Sequence, residues 1–174
     1  MTSVVLLAPG PSLTRELVNM VRDVSVGVVN NAFELAPWAN FLVASDAKWW
    51  KKHPAAHQFA GHKFCAGWVK GVHKVVDGGV DKATNSGLLA IEVARRHGFT
   101  RMLLLGYDMH GTHFFGPYSN GLANTKPEKF ELHQKQFEKW ARRHSEIEVI
   151  NCTPGSALRA FPKADITEAL RAIR

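Results

Sequence analysis

Apolar and polar positions come in blocks along this chain, and the blocks predict a regular succession of short strands and helices. Ser3 to Ala8 is almost continuously apolar, as expected of a strand covered on both faces of a sheet. Pro9-Gly10-Pro11-Ser12 follows as a tight loop, and Leu13, Leu17, Met20 and Val21 carry helical spacing through 13–21. Val26 to Val29 and Phe41 to Ala44 predict a second and a third strand. The block that organises the rest runs from Thr84 to His110. Leu88, Leu89, Ile91, Val93 and Ala94 form one apolar helix face, Asn85 or Ser86 can cap its start, and Gly98 marks its end. Met102 to Leu105 is then a buried strand, broken by Gly106 and followed by Tyr107, Asp108 and His110.

Between these blocks the pattern is less regular. Trp49, Trp50, His53 and His57 lie on a short helix that ends near Pro54, since proline disturbs a regular helical turn. The segment 61–82, rich in Gly, His and Lys, reads as an irregular excursion with β-like runs at Lys63 to Ala66 and Val72 to Val76, bearing one more strand, and with a turn at Asp77-Gly78-Gly79. Residues 111–127 show no periodicity. A loop of that length inside a domain is functional or disordered, and Phe114, Phe115 and Tyr118 favour a lid. Pro127 opens a helix to about His144 with Phe130, Phe137, Trp140 and Ala141 inward, Glu148 to Asn151 is the last strand, and Ile166 to Ile173 a closing helix. The expected architecture is α/β: one doubly wound, Rossmann-like domain over 1–174 with a mostly parallel sheet and a lid at 111–127.

Composition adds a few bounds. A hydrophobic content of 45% with five Trp over 174 residues supports a real core. No apolar run approaches the roughly 20 residues of a membrane span. Val4 to Ala8 has no basic stretch before it and is too short for a signal peptide, so it reads as a strand. Cys65 and Cys152 form no metal or redox motif, which makes a reducing cytoplasm the expected location. The formal charge of +7 points to phosphorylated or polyanionic partners, nucleic acid among them. Yet the basic residues (Lys48, Lys51 and Lys52; Arg95 and Arg96; Arg142 and Arg143) are scattered through helical segments and read as solvated faces rather than a groove. The oligomeric state is not legible.

Candidate chemistry gathers at the strand ends. The first three strands end in Gly10 and Ser12, in Asn30 and Asn31, and in Ser45 and Asp46. Two readings fit: ordinary turns, with Ser12 as a helix cap, or the floor of a nucleotide pocket whose loop amides face a phosphate. His53 and His57 have the i, i+4 spacing of a metal pair but lack an intervening glutamate, and no metal ligands are assigned.

These residues, taken in order, resemble the bacterial sialyltransferases of glycosyltransferase family 42 and a wider set sharing the Gly-Pro-Ser-Leu motif, which includes archaeal-type 6-hydroxymethyl-dihydropterin diphosphokinases. Gly10-Pro11-Ser12-Leu13 matches the N-terminal motif, and Asn30 or Asn31 an asparagine that contacts the nucleotide. Ser86-Gly87 through Gly106-Tyr107-Asp108 is similar to a central Ser-Gly…Gly-Ile-Asp segment. His133, with Asn151-Cys152 and Pro154-Gly155-Ser156 downstream, is similar to the region of the catalytic histidine. The resemblance spans about residues 8–160. It implies a cytidine-nucleotide pocket from Gly10, Pro11, Ser12, Asn30, Asn31 and the Asn85, Ser86, Gly87 helix start, with Ser45, Asp46 and Asp108 beside it. The chain departs from the family where His110 replaces a phosphate-steadying tyrosine and where His113 or Tyr118 stands for a second one in the lid.

The expected activity is therefore a metal-independent inverting glycosyltransferase. It would join a nucleotide-activated, CMP-type sugar donor to a hydroxyl-bearing acceptor, with His133 as base and His110 or Tyr118 steadying the departing phosphate. No cofactor is expected beyond the donor, since no Asp-x-Asp motif occurs. The alternatives are a Mg²⁺-dependent diphosphokinase using Asp46 and Asp108, or a non-catalytic nucleotide- or nucleic-acid-binding module.

Overall fold

The strands β1 (Ser3–Leu7), β2 (Val26–Val29), β3 (Phe41–Val43), β4 (His62–Cys65), β5 (His73–Lys74), β6 (Arg101–Leu105) and β7 (Glu148–Asn151) form one sheet in the order β5-β4-β3-β2-β1-β6-β7. Every neighbouring pair is parallel. The computed structural model describes residues 2–75 and 85–174. The expected turn at Asp77-Gly78-Gly79 lies outside the described residues. β1 and β6 are buried on both faces apart from their first residues, which explains why their sequences do not alternate.

The helices α1 (Arg15–Asn19), α2 (Ala47–Lys52) and α5 (Ile166–Arg171) cover one face, and α3 (Ser86–Arg96) and α4 (Pro127–Arg143) the other. The fold is thus doubly wound and Rossmann-like. The winding reverses between β1 and β6, so the crevice outside their carboxyl ends is the place where such sheets take ligands. Among the described residues, no helix is long and apolar enough to cross a membrane.

Several boundaries differ from expectation for local reasons. α1 starts at Arg15 because Thr14, not Ser12, is its cap: the Thr14 hydroxyl accepts from Leu17 N at 3.3 Å. The excursion after residue 60 carries two strands rather than one. β4 is only half-buried and both residues of β5 are exposed, so their apolar signal is weak, but backbone pairing of Phe64 with His73 extends the sheet all the same. In α4, Gln134 and Gln136 are buried with Phe137 and Trp140, whereas Phe130 and Ala141 are only partly covered.

The two helices of the second face are joined by a buried charge. Glu92 is fully buried on α3 and accepts from Arg95 at 2.8 Å, Arg96 at 2.8 Å and the indole N–H of Trp140 on α4 at 3.0 Å. Burial pushes its carboxyl pKa up, but the three donors and the nearby Arg95 charge outweigh that and bring it down to about 2. The sequence shows Glu92 as one more polar position on a helix; only the packing of α4 makes it a core residue.

Candidate functional site

Gly10, Asn30, Ser45 and Gly106 follow the carboxyl ends of β1, β2, β3 and β6, and so lie along one edge of the sheet. At the reversal point the Gly10-Pro11-Ser12 loop folds directly onto the end of β6. Gly10 N donates to Gly106 O at 3.0 Å, Ser12 N to Asp108 Oδ1 at 3.2 Å, the Ser12 hydroxyl to Asp108 Oδ2 at 2.9 Å, and Leu13 N to Gly10 O at 3.1 Å. A Cβ on residue 10 would stand 2.0 Å from Asp108 Oδ2 and 2.2 Å from Gly106 O, so only glycine permits this approach. The amides expected to face a phosphate are therefore engaged within the protein, and Pro11 has none to offer. This corrects the reading of the loop as a phosphate cradle. It is a keystone that closes the reversal point, and Asp108 is its pin.

Asp108 is held in turn by the loop after β7. Its carbonyl accepts from Ala157 N at 2.8 Å, Thr153 Oγ1 accepts from Tyr107 N at 3.0 Å, and the Ser156 hydroxyl donates to Tyr107 O at 2.6 Å. Burial raises the Asp108 carboxyl pKa, against the lowering effect of the Ser12 hydrogen bond.

The two asparagines after β2 have separate fates. Asn31 is buried and uses its whole amide. Its Nδ2 donates to Glu34 Oε1 at 2.7 Å and lies 3.2 Å from His53 Nε2, while its Oδ1 accepts from Trp49 Nε1 at 3.0 Å and from the Tyr118 hydroxyl at 2.9 Å. His53 Nδ1 bonds to the Trp49 carbonyl at 2.9 Å, which can only accept, so Nε2 is the side that accepts from Asn31. His53 and His57 turn to different tryptophans, the former stacked on Trp49 and the latter edge-on to Trp50. Asn30, by contrast, has φ of 45°, and its buried Oδ1 has no hydrogen-bond partner among the described residues. An asparagine tolerates this left-handed conformation better than most residues.

The start of α3 supplies a second unengaged amide. Asn85 caps the helix by accepting from Leu88 N at 2.9 Å through Oδ1. That bond fixes the amide's orientation and leaves Nδ2 buried without a partner among the described residues. The first amides of the helix, at Ser86 and Gly87, lack intrahelical acceptors, as at any helix start. The Ser86 hydroxyl accepts from Ser45 N at 3.0 Å and lies 2.9 Å from Ser45 Oγ, tying the end of β3 to this helix start. Asp46 caps α2 through Lys48 N at 2.8 Å and is exposed. Gly87 is small for an internal reason: a Cβ there would meet the Tyr107 ring at 2.9 Å. Tyr107, which follows β6 as one of its polar residues, is in fact a core side chain. Its ring packs on Phe137, its hydroxyl donates to Gly87 O at 3.1 Å, and burial drives its pKa far upward.

The loop between β6 and α4, the expected lid, crosses this edge. Phe114 N donates to Pro9 O at 3.0 Å, Phe114, Tyr118 and Leu122 pack on the α2 face, and the chain then returns to α4 on the opposite face. Tyr118 donates to Asn31, and burial pushes its phenol up to about 12. His113 stacks on Phe115 with centroids 4.8 Å apart, bonds through Nδ1 to Gly116 O, and has its pKa lowered by burial. His110 is exposed, its Nε2 3.2 Å from Gly155 O.

His133 is half-buried on α4, one helical turn before Phe137 and therefore on the side of α4 whose Phe137 packs on the Tyr107 ring. Burial lowers its pKa, and Lys129 lowers it further. The next residue, Gln134, is buried and clamps the segment after β7: it donates to Ala157 O at 2.6 Å and accepts from Arg159 N at 3.1 Å. Neither this clamp nor the Asn31 cluster has a signature in the sequence, because each joins single polar residues far apart in the chain. No family model, no curated protein and no solved structure matches this chain.

Proposed function

We propose that this chain is a metal-independent inverting glycosyltransferase that takes a nucleotide-activated, CMP-type sugar and passes it to a hydroxyl-bearing acceptor, in the manner of the sialyltransferases it resembles. The observation that carries the reading is the pair of buried amide atoms without a hydrogen-bond partner among the described residues, Asn30 Oδ1 and Asn85 Nδ2, at the carboxyl edge of the sheet. A buried polar atom without a partner costs free energy, so two of them at this edge, with helix-start amides that lack intrahelical acceptors, favour a polar ligand. An acceptor and a donor together suit a nucleobase or ribose edge, and the amides of Ser86 and Gly87 suit its phosphate.

In this reaction the His133 imidazole takes the acceptor's hydroxyl proton as its oxygen bonds to the anomeric carbon. The carbon–oxygen bond to the nucleotide phosphate breaks, and the nucleotide leaves with the electron pair. A base held neutral by burial is ready for that proton at neutral pH. The start of α3 meets the charge that grows on the leaving phosphate, with His110 at the rim.

The experiment is donor turnover by wild type and His133→Ala, with and without EDTA, after a thermal-shift screen of free nucleotides has identified the base. The expected result is nucleotide binding by both proteins, turnover in EDTA by wild type, and a loss of about 10²- to 10⁴-fold in the variant. Strict dependence on Mg²⁺ would transfer the reading to the diphosphokinase chemistry and to Asp46 and Asp108.

A further inference from the structure

At the outer end of the same sheet edge, the turn between β4 and β5 holds a tryptophan out in solvent. Trp68 is 78% exposed, the most exposed large apolar side chain among the described residues. The turn that carries it is well anchored. Gly67 N donates to Cys65 Sγ at 3.3 Å, Val72 N donates to Val69 O at 3.1 Å, and Val69 and Val72 both pack against the core. Its neighbours pack inward while the indole stays in solvent, which forgoes apolar burial.

The surroundings of Trp68 are cationic. Residues 61–75 contain three lysines and two histidines and no carboxylate. Lys63 is tied to the Phe59 carbonyl, but Lys70 and Lys74 are exposed on the turn and on β5. A Cβ on Gly67 would stand 3.5 Å from Ala47 Cβ, so the turn lies against the start of α2. That helix buries Trp49 and Trp50 and leaves Lys48, Lys51 and Lys52 outward. Among the described residues, the carboxylate next to Ala47 is Asp46, which accepts from Lys48 N as the α2 cap. An open aromatic face in a lysine-bearing turn, with further exposed lysines on the adjoining helix, is the kind of surface that holds single-stranded nucleic acid, the ring stacking on a base and the ammonium groups tracking phosphates.

We infer that the rim formed by Trp68, Lys70, Lys74 and the outer face of α2 binds a single-stranded polynucleotide. The inference rests on this rim alone and not on the transferase reading. A duplex hides its base faces and would engage only the lysines, so single strands are preferred over duplexes of the same sequence.

The test is fluorescence anisotropy of labelled oligo-dT and oligo-U, their duplexes, and heparin as a polyanion without bases, with wild type, Trp68→Ala and the Lys70→Glu/Lys74→Glu double variant. Each variant's fold is checked by circular dichroism. We expect wild type to bind the single strands, and Trp68→Ala to bind them about 10-fold more weakly or worse, on the scale of one lost stacked base, with heparin binding unchanged. The double variant should weaken both ligands and reduce the slope of log affinity against log salt by roughly 1.4, about 0.7 for each lost phosphate contact. The inference is overturned if wild type binds no single strand, or binds duplex equally well. It is overturned too if Trp68→Ala retains full affinity, in which case the surface acts as a simple polycation.

Discussion

Ser12 and Asp108, 96 residues apart in the chain, are joined by two hydrogen bonds: one carboxylate takes both the backbone N–H and the hydroxyl of the serine. This pair ties the loop after β1 to the segment after β6, at the point where the winding of the sheet reverses. Asp108→Ala should cost about 2 kcal/mol, the scale of hydrogen bonds to a charged group. Gly10→Ala should cost more, because its methyl group meets both the Asp108 carboxylate and the Gly106 carbonyl with no room to retreat. Urea denaturation of the two variants measures both; a Gly10→Ala protein as stable as wild type would show that the loop does not pack this way.

Glu92 and Asp108 should bend the pH–stability curve in opposite senses. Glu92 has its pKa depressed to about 2, so its stabilisation is present above the ordinary glutamate pKa and is lost as pH falls toward 2. Asp108 has its pKa raised, chiefly by burial, so the native state holds its proton more tightly than the unfolded chain. Stability from that group declines as pH rises from the ordinary aspartate range to the raised value and is level above it. Glu92→Ala should cost about 3 kcal/mol at neutral pH, as expected when one partner of a buried ion cluster is removed, and should flatten the acid limb. Asp108→Asn should remove the opposing slope. Chemical denaturation across the acid range, variant by variant, separates the two.

Tyr118 fastens the 111–126 loop to Asn31, and Tyr118→Phe removes that bond while keeping the ring. A loss of about 1 kcal/mol is expected, concentrated in faster amide exchange over that loop rather than in the sheet. Asn31→Ala should do more harm, since it leaves the buried Trp49 indole N–H unpaired as well. It should also let the Tyr118 phenol titrate below its present pKa of about 12, which ultraviolet titration can follow because the chain has only two tyrosines.

The nucleotide pocket can be tested without damage to its frame. Asn85→Asp keeps the oxygen that caps α3 and replaces the unengaged Nδ2 with a negative oxygen. Stability should stay near wild type, while affinity for the free nucleotide falls about 10-fold or more, readable by calorimetry. Asn30→Gly keeps the positive φ and removes the unpartnered Oδ1, and should weaken binding with little effect on melting. Gly87→Val is a poor test by comparison, because its branched side chain would first strike the Tyr107 ring.

The fold was legible because its signals are local and repeated. Continuous apolar runs gave β1, β2 and β6, and the spacing of Leu88 to Ala94 gave α3. The expected adjacency of β3, β2, β1 and β6 is the observed one. β5 was harder to read, since a two-residue edge strand owes its existence to its neighbour rather than to its own sequence. The candidate site was legible in position but not in detail. Sequence brings Asn30 and Asn31 forward together, yet only the packing of Trp49, His53 and Tyr118 engages the amide of Asn31, while Asn30 Oδ1 finds no partner among the described residues. Likewise nothing in the string Gly-Pro-Ser reveals that its amides turn inward; that depends on Asp108, far along the chain.

The place of β1 has a consequence for how the chain is made. One edge pairs early, with β2, but the other waits for β6: Ser3 lies beside Arg101, a separation of 98 residues. A nascent chain therefore carries an apolar strand with an open edge until Arg101–Leu105 has been synthesised, the kind of exposure that invites aggregation. The first hundred residues alone should be insoluble or chaperone-bound, and the addition of β6 should release them.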